Sequence, residues 1–227
     1  MTKHVDQNEI GQTVSSASEY LRGRLKALQE LDTYFQRDAI LDCANFESQA
    51  PTIVTSLVKD MVRAKALESL GPHLVIDSGW SPNDFLMRQL LLGQGIYSGP
   101  TALYLWGLSD QYPYQVYMTF KSGYRLPQKL HAKWAVNVVA RQVTQQKLGE
   151  FVSEIPVDGT QKQIQVYSRE RTLVEVLRKP YSGDTEMINT AYKRYLKDYR
   201  SGVNQLLLVA QEFNMGERVS ELLEVML

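Results

Sequence analysis

Residues 51–76, PTIVTSLVKDMVRAKALESLGPHLVI, combine an amphipathic helix with a β-rich segment. Pro51 is favoured at a first helical position, because its missing N–H would have no partner there anyway. The apolar residues on one side of the predicted helix are Val54, Leu57, Val58 and Met61. We therefore predict a helix that starts at Pro51 and is stopped by Gly71 and Pro72, followed by an extended segment at His73–Ile76.

Two further helices are predicted before this one. Apolar residues recur every three to four positions over Thr13–Phe35, and Asp38–Asn45 has one apolar side. The apolar residues of the shorter helix are Ala39, Ile40, Cys43 and Ala44. The order helix, helix, turn, helix and β segment is typical of a winged helix-turn-helix, whose third helix enters the DNA major groove. Residues 1–80 are therefore predicted to form this domain, although a small three-helix bundle would show the same order.

The polar side of the third helix is the predicted DNA-binding surface. Its residues are Thr52, Thr55, Ser56, Lys59 and Arg63. Hydroxyls and cations of this kind can contact base edges and phosphates. The charge of residues 1–80 argues against DNA binding, since 8 basic and 11 acidic residues leave a net charge of −3 and DNA affinity depends largely on phosphate neutralisation.

The basic residues of the chain are concentrated in its middle. The whole sequence has 25 basic and 25 acidic residues, but residues 81–180 have 12 and 7, a net charge of +5. A second candidate surface, for DNA or for another partner, consists of Lys121, Arg125, Lys129 and Lys133. Such a basic run could attract phosphates or an acidic protein, although most runs of this kind are solvated surfaces.

The second half of the chain has the pattern of an α+β domain. A short helix at Ser81–Gly93 is predicted to connect the two halves, as part of a connecting segment over residues 81–94. Asp158 and Gly159 separate two strand-like runs and indicate a hairpin. Helical periodicity then continues to the end, so residues 95–227 are predicted to contain a small sheet and a helical C-terminus.

The sequence offers little for catalysis or for metal binding. It lacks a nucleophile-elbow motif and an HExxH motif, and its three histidines, His4, His73 and His131, are far apart. We predict no catalytic residue, no metal site and no cofactor. Glu150 and Glu154 are predicted to share a strand face and could together bind Mg²⁺ in a nuclease-like enzyme, but a solvent-facing pair is the commoner case.

Compartment and membrane topology follow from simple patterns. The first residues, MTKHVDQNEIGQTVSS, are polar, and no run approaches the length of apolar sequence that spans a bilayer. The single cysteine, Cys43, cannot form an intramolecular disulfide. We therefore expect a cytoplasmic protein with no signal peptide and no membrane span.

Four blocks in the second half resemble those of one family. They are GIYSGPTALYLWGLSDQYP from Gly95, VYMTFKSGYR from Val116, VYSRERTLVEVLRK from Val166 and INTAYKRYLKDYRSGVNQLLLVAQEF from Ile188. In this order they resemble the AbiEi-type antitoxins of bacterial type IV toxin–antitoxin (abortive infection) systems, over roughly residues 74–227. Family members commonly have His-Glu-Thr-Ala where this chain has Gly99–Ala102, and a His where it has Trp106.

The resemblance implies a regulator with two parts. The N-terminal winged helix of such antitoxins binds inverted repeats in the promoter of its own operon and represses it. The C-terminal domain counters a toxin that resembles a nucleotidyltransferase, without catalysis and without a stable complex. The alternative is a non-enzymatic protein-interaction module whose winged helix has lost DNA binding, and a nuclease-like enzyme is the third reading.

Overall fold

The computed structural model describes residues 7–129 and 131–226, with side chains from residue 16 onward except at 130. Contacts divide the chain into two compact units: Met1–Asn83 with Pro156–Lys162, and Asp84–Ile155 with Gln163–Leu227. Helices and strands occur in both units, which agrees with the predicted α+β class. His4 and the polar first residues lie outside the described part of the chain.

The smaller unit places two helices against a small sheet. Its elements are α1 (Gln7–Phe35), β1 (Ile40–Asp42), α2 (Pro51–Arg63), β2 (Leu67–Ser69) and β3 (Leu74–Asp77). The strands form one antiparallel sheet in the order β1-β3-β2. Its buried core comprises Ala27, Leu31, Leu41, Val54, Leu57, Val58, Leu67 and Val75. The predicted long first helix, the helix starting at Pro51 and the extended segment before Asp77 are therefore confirmed.

The helix predicted over Asp38–Asn45 is wrong, because its centre forms strand β1. Ile40 and Leu41 are both fully buried and pair with Ile76 and Val75 of β3. A surface helix would bury only one side of this run, whereas a strand covered on both faces buries consecutive residues. The Asp38 carboxylate accepts the Ile40 N–H at 3.0 Å and so fixes the entry into the strand.

The predicted end of the third helix is also wrong. Helix α2 ends at Arg63, and Lys65 has a φ of 60° that turns the chain into β2. Gly71 and Pro72 therefore lie in the connection between β2 and β3, where the Leu70 N–H donates to the Leu74 carbonyl at 2.9 Å. In the sequence, Gly71 and Pro72 follow the apolar pattern of the predicted helix. In the structure they form the turn of the β2–β3 hairpin.

The larger unit is built on a five-stranded mixed sheet. Its strands are β4 (Ile96–Tyr97), β5 (Val116–Lys121), β6 (Val138–Val143), β7 (Val152–Pro156) and β8 (Gln163–Tyr167). Their order is β6-β5-β4-β8-β7. Strand β4 runs antiparallel to β5 and parallel to β8, and β5 runs parallel to β6. The predicted small sheet is thus present.

Eight helices of the larger unit are described. They are α3 (Asp84–Leu92), α4 (Gly99–Leu105), α5 (Ala132–Ala135), α6 (Gln145–Gly149), α7 (Arg169–Val176), α8 (Thr185–Asp198), α9 (Val203–Glu212) and α10 (Gly216–Met226). The last four form the predicted helical C-terminus, around a core that includes the buried rings of Tyr192 and Tyr195. Among the described helices, none has the length and apolar character needed to cross a bilayer.

Helix α3 lies inside the larger unit, although the sequence suggested a connector. Phe85 and Leu86 are buried in it. The Gln89 amide donates to the carbonyls of Gly95 at 2.6 Å and Gln165 at 2.8 Å, and its oxygen accepts the Gln165 N–H at 2.8 Å. These bonds tie α3 to the backbone at β4 and β8.

The segment 156–162, between β7 and β8, belongs to the smaller unit. Gly159 has a φ of 79°, as the predicted Asp-Gly turn requires. The Thr160 hydroxyl donates to the Asp38 carboxylate at 2.6 Å, and the Trp80 indole donates to the Asp158 carbonyl at 3.0 Å. A chain truncated near residue 80 would lose these contacts, so experiments on this unit need the full chain.

Two nearby glycines allow a test of the packing at β4. Gly95 has a φ of 113°, and a Cβ there would lie 2.5 Å from Cε1 of Phe120. Gly93 also has a positive φ, 74°, but a Cβ there would meet nothing within 4 Å. We expect Gly95→Ala to destabilise the protein by about 2–4 kcal/mol in urea unfolding, and Gly93→Ala by about 1 kcal/mol. Equal losses would contradict the close approach of Phe120.

Candidate nucleic-acid interface

Helix α2 has one buried and one solvent-facing side. Val54, Leu57 and Val58 are buried in the smaller unit. On the predicted DNA-binding side, Thr52, Thr55, Lys59 and Arg63 are exposed and Ser56 is half-buried. The five predicted residues therefore lie together along one accessible helix face. Their hydroxyls and cations are the groups that contact base edges and phosphates.

The hydroxyl of Thr55 is partly committed to the helix itself. Its Oγ1 donates to the Pro51 carbonyl at 2.9 Å. The proton is used by this bond, whereas the oxygen lone pairs remain free to accept. Thr55 is therefore suited to accept a hydrogen bond, for example from a base amino group in a groove.

An acidic residue, Asp60, reduces the positive charge of this face. Its two oxygens accept from Arg24 of α1 at 3.1 Å and from Arg63 at 3.3 Å. The structure thus pairs the guanidinium of Arg63, one of the predicted DNA-binding residues, with a carboxylate. Exposed ion pairs of this kind contribute little, about 0–1 kcal/mol, so a phosphate could replace the carboxylate.

Lys59 differs from Arg63 in its electrostatic surroundings. Within the described residues, no carboxylate lies within ion-pair distance of the Lys59 ammonium. It follows Thr52 and Thr55 along the exposed helix face. Lys59 is therefore the cation on α2 that can meet a phosphate without first leaving a partner.

The connection between β2 and β3 is a feature that the sequence analysis missed. Pro72 and His73 are exposed at its tip, and the Ser69 hydroxyl donates to the Gly71 carbonyl at 3.1 Å. The two strands flanking the tip are part of the same three-stranded sheet. A Gly-Pro dipeptide between two short apolar runs was the available signal for this hairpin.

The second predicted basic surface lies in the larger unit, and all four of its residues are exposed. Lys121 ends β5, Arg125 and Lys129 follow in the connecting segment, and Lys133 belongs to α5. The Lys133 ammonium lies 5.3 Å from the centre of the Trp134 ring, within the range of a cation–π contact. This surface is thus accessible and rich in positive charge.

A buried ion pair in the larger unit was not predicted. Arg171 and Glu175, one turn apart on α7, are only 2% and 3% exposed, and Nε of Arg171 lies 3.2 Å from the carboxylate. The guanidinium also donates to the carbonyls of Lys147 and Glu150 and stacks on the Tyr167 ring. The i, i+4 spacing of opposite charges was the available signal.

Burial controls the ionisation of this cluster. It raises the pKa of Glu175 despite the opposing attraction of Arg171 and Arg141, and it raises the pKa of Tyr167 to about 12. The folded chain therefore binds the Glu175 proton more tightly than the unfolded chain does, so protonation of this group on acidification favours folding. The hydrogen bonds of Arg171 tie α7 to the backbone around α6. The ion pair therefore has a structural role.

The carboxylates considered for Mg²⁺ do not share a strand face. Glu154 lies on β7 and accepts from the Gln165 amide at 2.7 Å, whereas Glu150 precedes the strand and caps α6. Phe151 between them has a φ of 49°, which breaks the alternation. The prediction of a shared face is therefore wrong.

No protein-family model matches this chain, and no curated protein sequence matches it either. The likeness to AbiEi-type antitoxins therefore depends on the four sequence blocks alone. The geometry of α2 adds an accessible polar helix face in the smaller unit.

Proposed function

We propose that this chain is a DNA-binding transcriptional autorepressor and the antitoxin of a type IV toxin–antitoxin system. In this proposal the smaller unit acts as a winged helix, α2 enters the major groove, and the β2–β3 connection is the wing. The observation that carries the DNA-binding part is the accessible face of α2, on which all five predicted residues lie. The partner DNA would be inverted repeats in the protein's own promoter.

The order of elements in the smaller unit supports this assignment. Helix, strand, helix and hairpin follow one another, and the strands have the order β1-β3-β2. Strand β1 and the turn after it replace the predicted middle helix, and in this turn the Asp42 carboxylate accepts the Ala44 N–H at 3.0 Å and the Asn45 amide at 2.7 Å. In the proposed interface α2 is the recognition helix that such a turn presents.

The antitoxin part of the proposal depends on the sequence blocks of the larger unit. This unit would counter a toxin that resembles a nucleotidyltransferase, without catalysis and without a stable complex. Lys121, Arg125, Lys129 and Lys133 would extend the DNA footprint or contact another partner, because exposed cations attract either. The cytoplasm is the compartment in which this function would operate.

A second candidate function is a protein-interaction module without DNA affinity. It is favoured by the net charge of −3 over residues 1–80 and by Asp60, which pairs with both Arg24 and Arg63. Gel-shift titration of the full chain against DNA from upstream of its own gene separates the two functions. Autorepression requires a specific complex that unrelated DNA does not compete away, whereas a module of the second kind shows none.

Antitoxin action is tested separately from DNA binding. The full chain is co-expressed with a neighbouring gene for a nucleotidyltransferase-like protein, and colony survival is scored. Rescue by the full chain, but not by an unrelated protein, supports the antitoxin part. Failure to rescue while specific DNA binding persists would leave a repressor without antitoxin action.

Neutralising Asp60 is expected to strengthen DNA binding, whereas most substitutions in an interface weaken it. Asp60→Asn removes a negative charge and releases Arg24 and Arg63, so we expect DNA affinity to increase by about five- to tenfold at low salt. Glu19→Gln, which removes one exposed charge from α1, is the matched control, with a smaller increase expected. Unchanged affinity of the Asp60→Asn protein would place α2 outside the interface.

A further inference from the structure

Strand β6 forms an open edge of the five-stranded sheet. It is the terminal strand in the order β6-β5-β4-β8-β7 and pairs on one side only, with β5. Residues 139–142 are exposed and the two ends of the strand are half-buried, so no described element covers it. An uncovered edge of this kind presents free backbone groups that can template another strand.

The hydrogen bonds to β5 show which backbone groups are free. The N–H groups of Val116 and Ser122 donate to the carbonyls of Asn137 and Val143 at 2.8 Å. In a parallel pair, alternate residues direct both their N–H and their C=O toward the same neighbour. The residues that face β5 are therefore 137, 139, 141 and 143. Val138, Ala140 and Gln142 direct their backbone groups outward, where the described part of the chain offers them no partner.

Cations outnumber carboxylates around this edge. From Gln111 to Gly149 the sequence contains no aspartate or glutamate. The basic residues of this stretch, all exposed, are Lys121, Arg125, Lys129, Lys133, Arg141 and Lys147. Arg141 lies on β6 itself, where its guanidinium is 3.7 Å from the Glu175 carboxylate. Lys121, whose side chain has no carboxylate partner among the described residues, pairs in register with Val143. Any strand that adds to this edge therefore enters a positive field.

We propose that the β6 edge binds an extended acidic peptide segment of a partner protein by strand addition. Main-chain hydrogen bonds to Val138, Ala140 and Gln142 would supply affinity, and the surrounding cations would select acidic side chains. The exposed side chains of Val136 and Val139, 59% and 37% accessible, offer apolar contacts for alternate residues of the peptide.

Two other occupants fit this edge less well. A second copy that paired through the same edge would bring the exposed cations of two identical stretches together, and basic residues commonly protect sheet edges from such self-association. Duplex DNA would use the cations but has no amide ladder to complete the sheet. The free backbone groups therefore favour a peptide, and the excess of exposed cations over carboxylates favours an acidic one.

The test uses the full chain and a labelled short peptide of alternating glutamate and valine, with binding followed by fluorescence anisotropy. Ala140→Pro removes an outward N–H while the bonds to β5 remain, because edge strands tolerate proline with its nitrogen toward solvent. Ala140→Val keeps the N–H and is the matched control. We expect Ala140→Pro to weaken binding about tenfold and Ala140→Val to change it less than about twofold. A lysine–valine peptide should not bind.

Hydrogen exchange of the unmodified protein gives a second readout that does not depend on a variant. The amides of Val138, Ala140 and Gln142 should become protected when the acidic peptide is added. Failure of the acidic peptide to bind, or binding that Ala140→Pro leaves unchanged and that protects none of these amides, would overturn the proposal. A dimer that is lost on Ala140→Pro, without peptide binding, would assign the edge to a second copy and would also overturn it.

Discussion

Arg171→Met is expected to lower the free energy of unfolding by about 3–5 kcal/mol, because it leaves the Glu175 carboxylate buried without its nearest partner. Nε of Arg171 lies 3.2 Å from that carboxylate, and both side chains are almost fully buried. The substitution also removes donors from the carbonyls of Lys147 and Glu150. Methionine approximates the volume of the arginine stem, so the loss would report mainly the missing charge and hydrogen bonds.

An exposed arginine in the same unit provides the control for this prediction. Arg194 pairs with Asp110, whose side chain is 82% exposed, and Arg194→Met should cost less than about 1 kcal/mol. Unfolding in urea, followed by circular dichroism, measures both variants. Adding Glu175→Leu to Arg171→Met should restore part of the stability, since no unpaired charge then remains buried. A loss below about 1 kcal/mol for Arg171→Met would contradict a structural role for the pair.

Periodicity in the sequence was sufficient for the longer elements. The helices that start at Pro51 and contain Tyr192 and Tyr195 have apolar residues at three- to four-residue intervals, and both are present. The alternation of Val116, Met118 and Phe120 likewise corresponds to β5, in which all three are buried. Burial of one continuous face explains these successes, because it leaves a direct trace in the sequence.

The secondary structure of the short elements depends on tertiary pairing. Ile40 and Leu41 fit a helical turn equally well in the sequence, and only pairing with β3 makes them a strand. The hairpin around Gly71 and Pro72 has the same origin. Segments this short carry too few residues for a period to be distinguished, so partners far along the chain determine their structure.

The candidate site likewise combines features that the sequence predicts with features that it does not. The exposed face of α2 follows from the positions of its apolar residues, so Thr52 and Lys59 could be placed on one surface from the sequence alone. The pairing of Asp60 with Arg24 joins residues on two helices, and no local pattern predicts it. The outward edge of β6 depends on strand order, which the sequence also did not provide.

The second large effect is expected in DNA binding. Lys59→Ala combined with Arg63→Ala should lower the slope of log affinity against log salt by about two units, since each phosphate contact contributes about 0.9. This change in slope corresponds to an affinity loss of about 50-fold near 0.1 M salt. The loss should occur on specific and unrelated DNA alike, because phosphate contacts carry little sequence information.

A double variant with the same charge change separates this effect from net charge. Arg22 and Arg37 are exposed and lie outside α2, on α1 and just after it. Arg22→Ala with Arg37→Ala removes two positive charges from the same unit, and we expect a much smaller change in the salt slope. Thr52→Ala should instead alter the preference for the specific sequence and leave the salt slope unchanged.

The most direct measurement of the central claim is a salt-dependent titration of duplex DNA from upstream of the gene with the full-length protein. The account predicts a specific complex whose salt slope falls by about two units in the Lys59→Ala, Arg63→Ala protein and hardly changes in the Arg22→Ala, Arg37→Ala protein. Absence of a specific complex, or equal slopes for the two double variants, would contradict DNA recognition by α2.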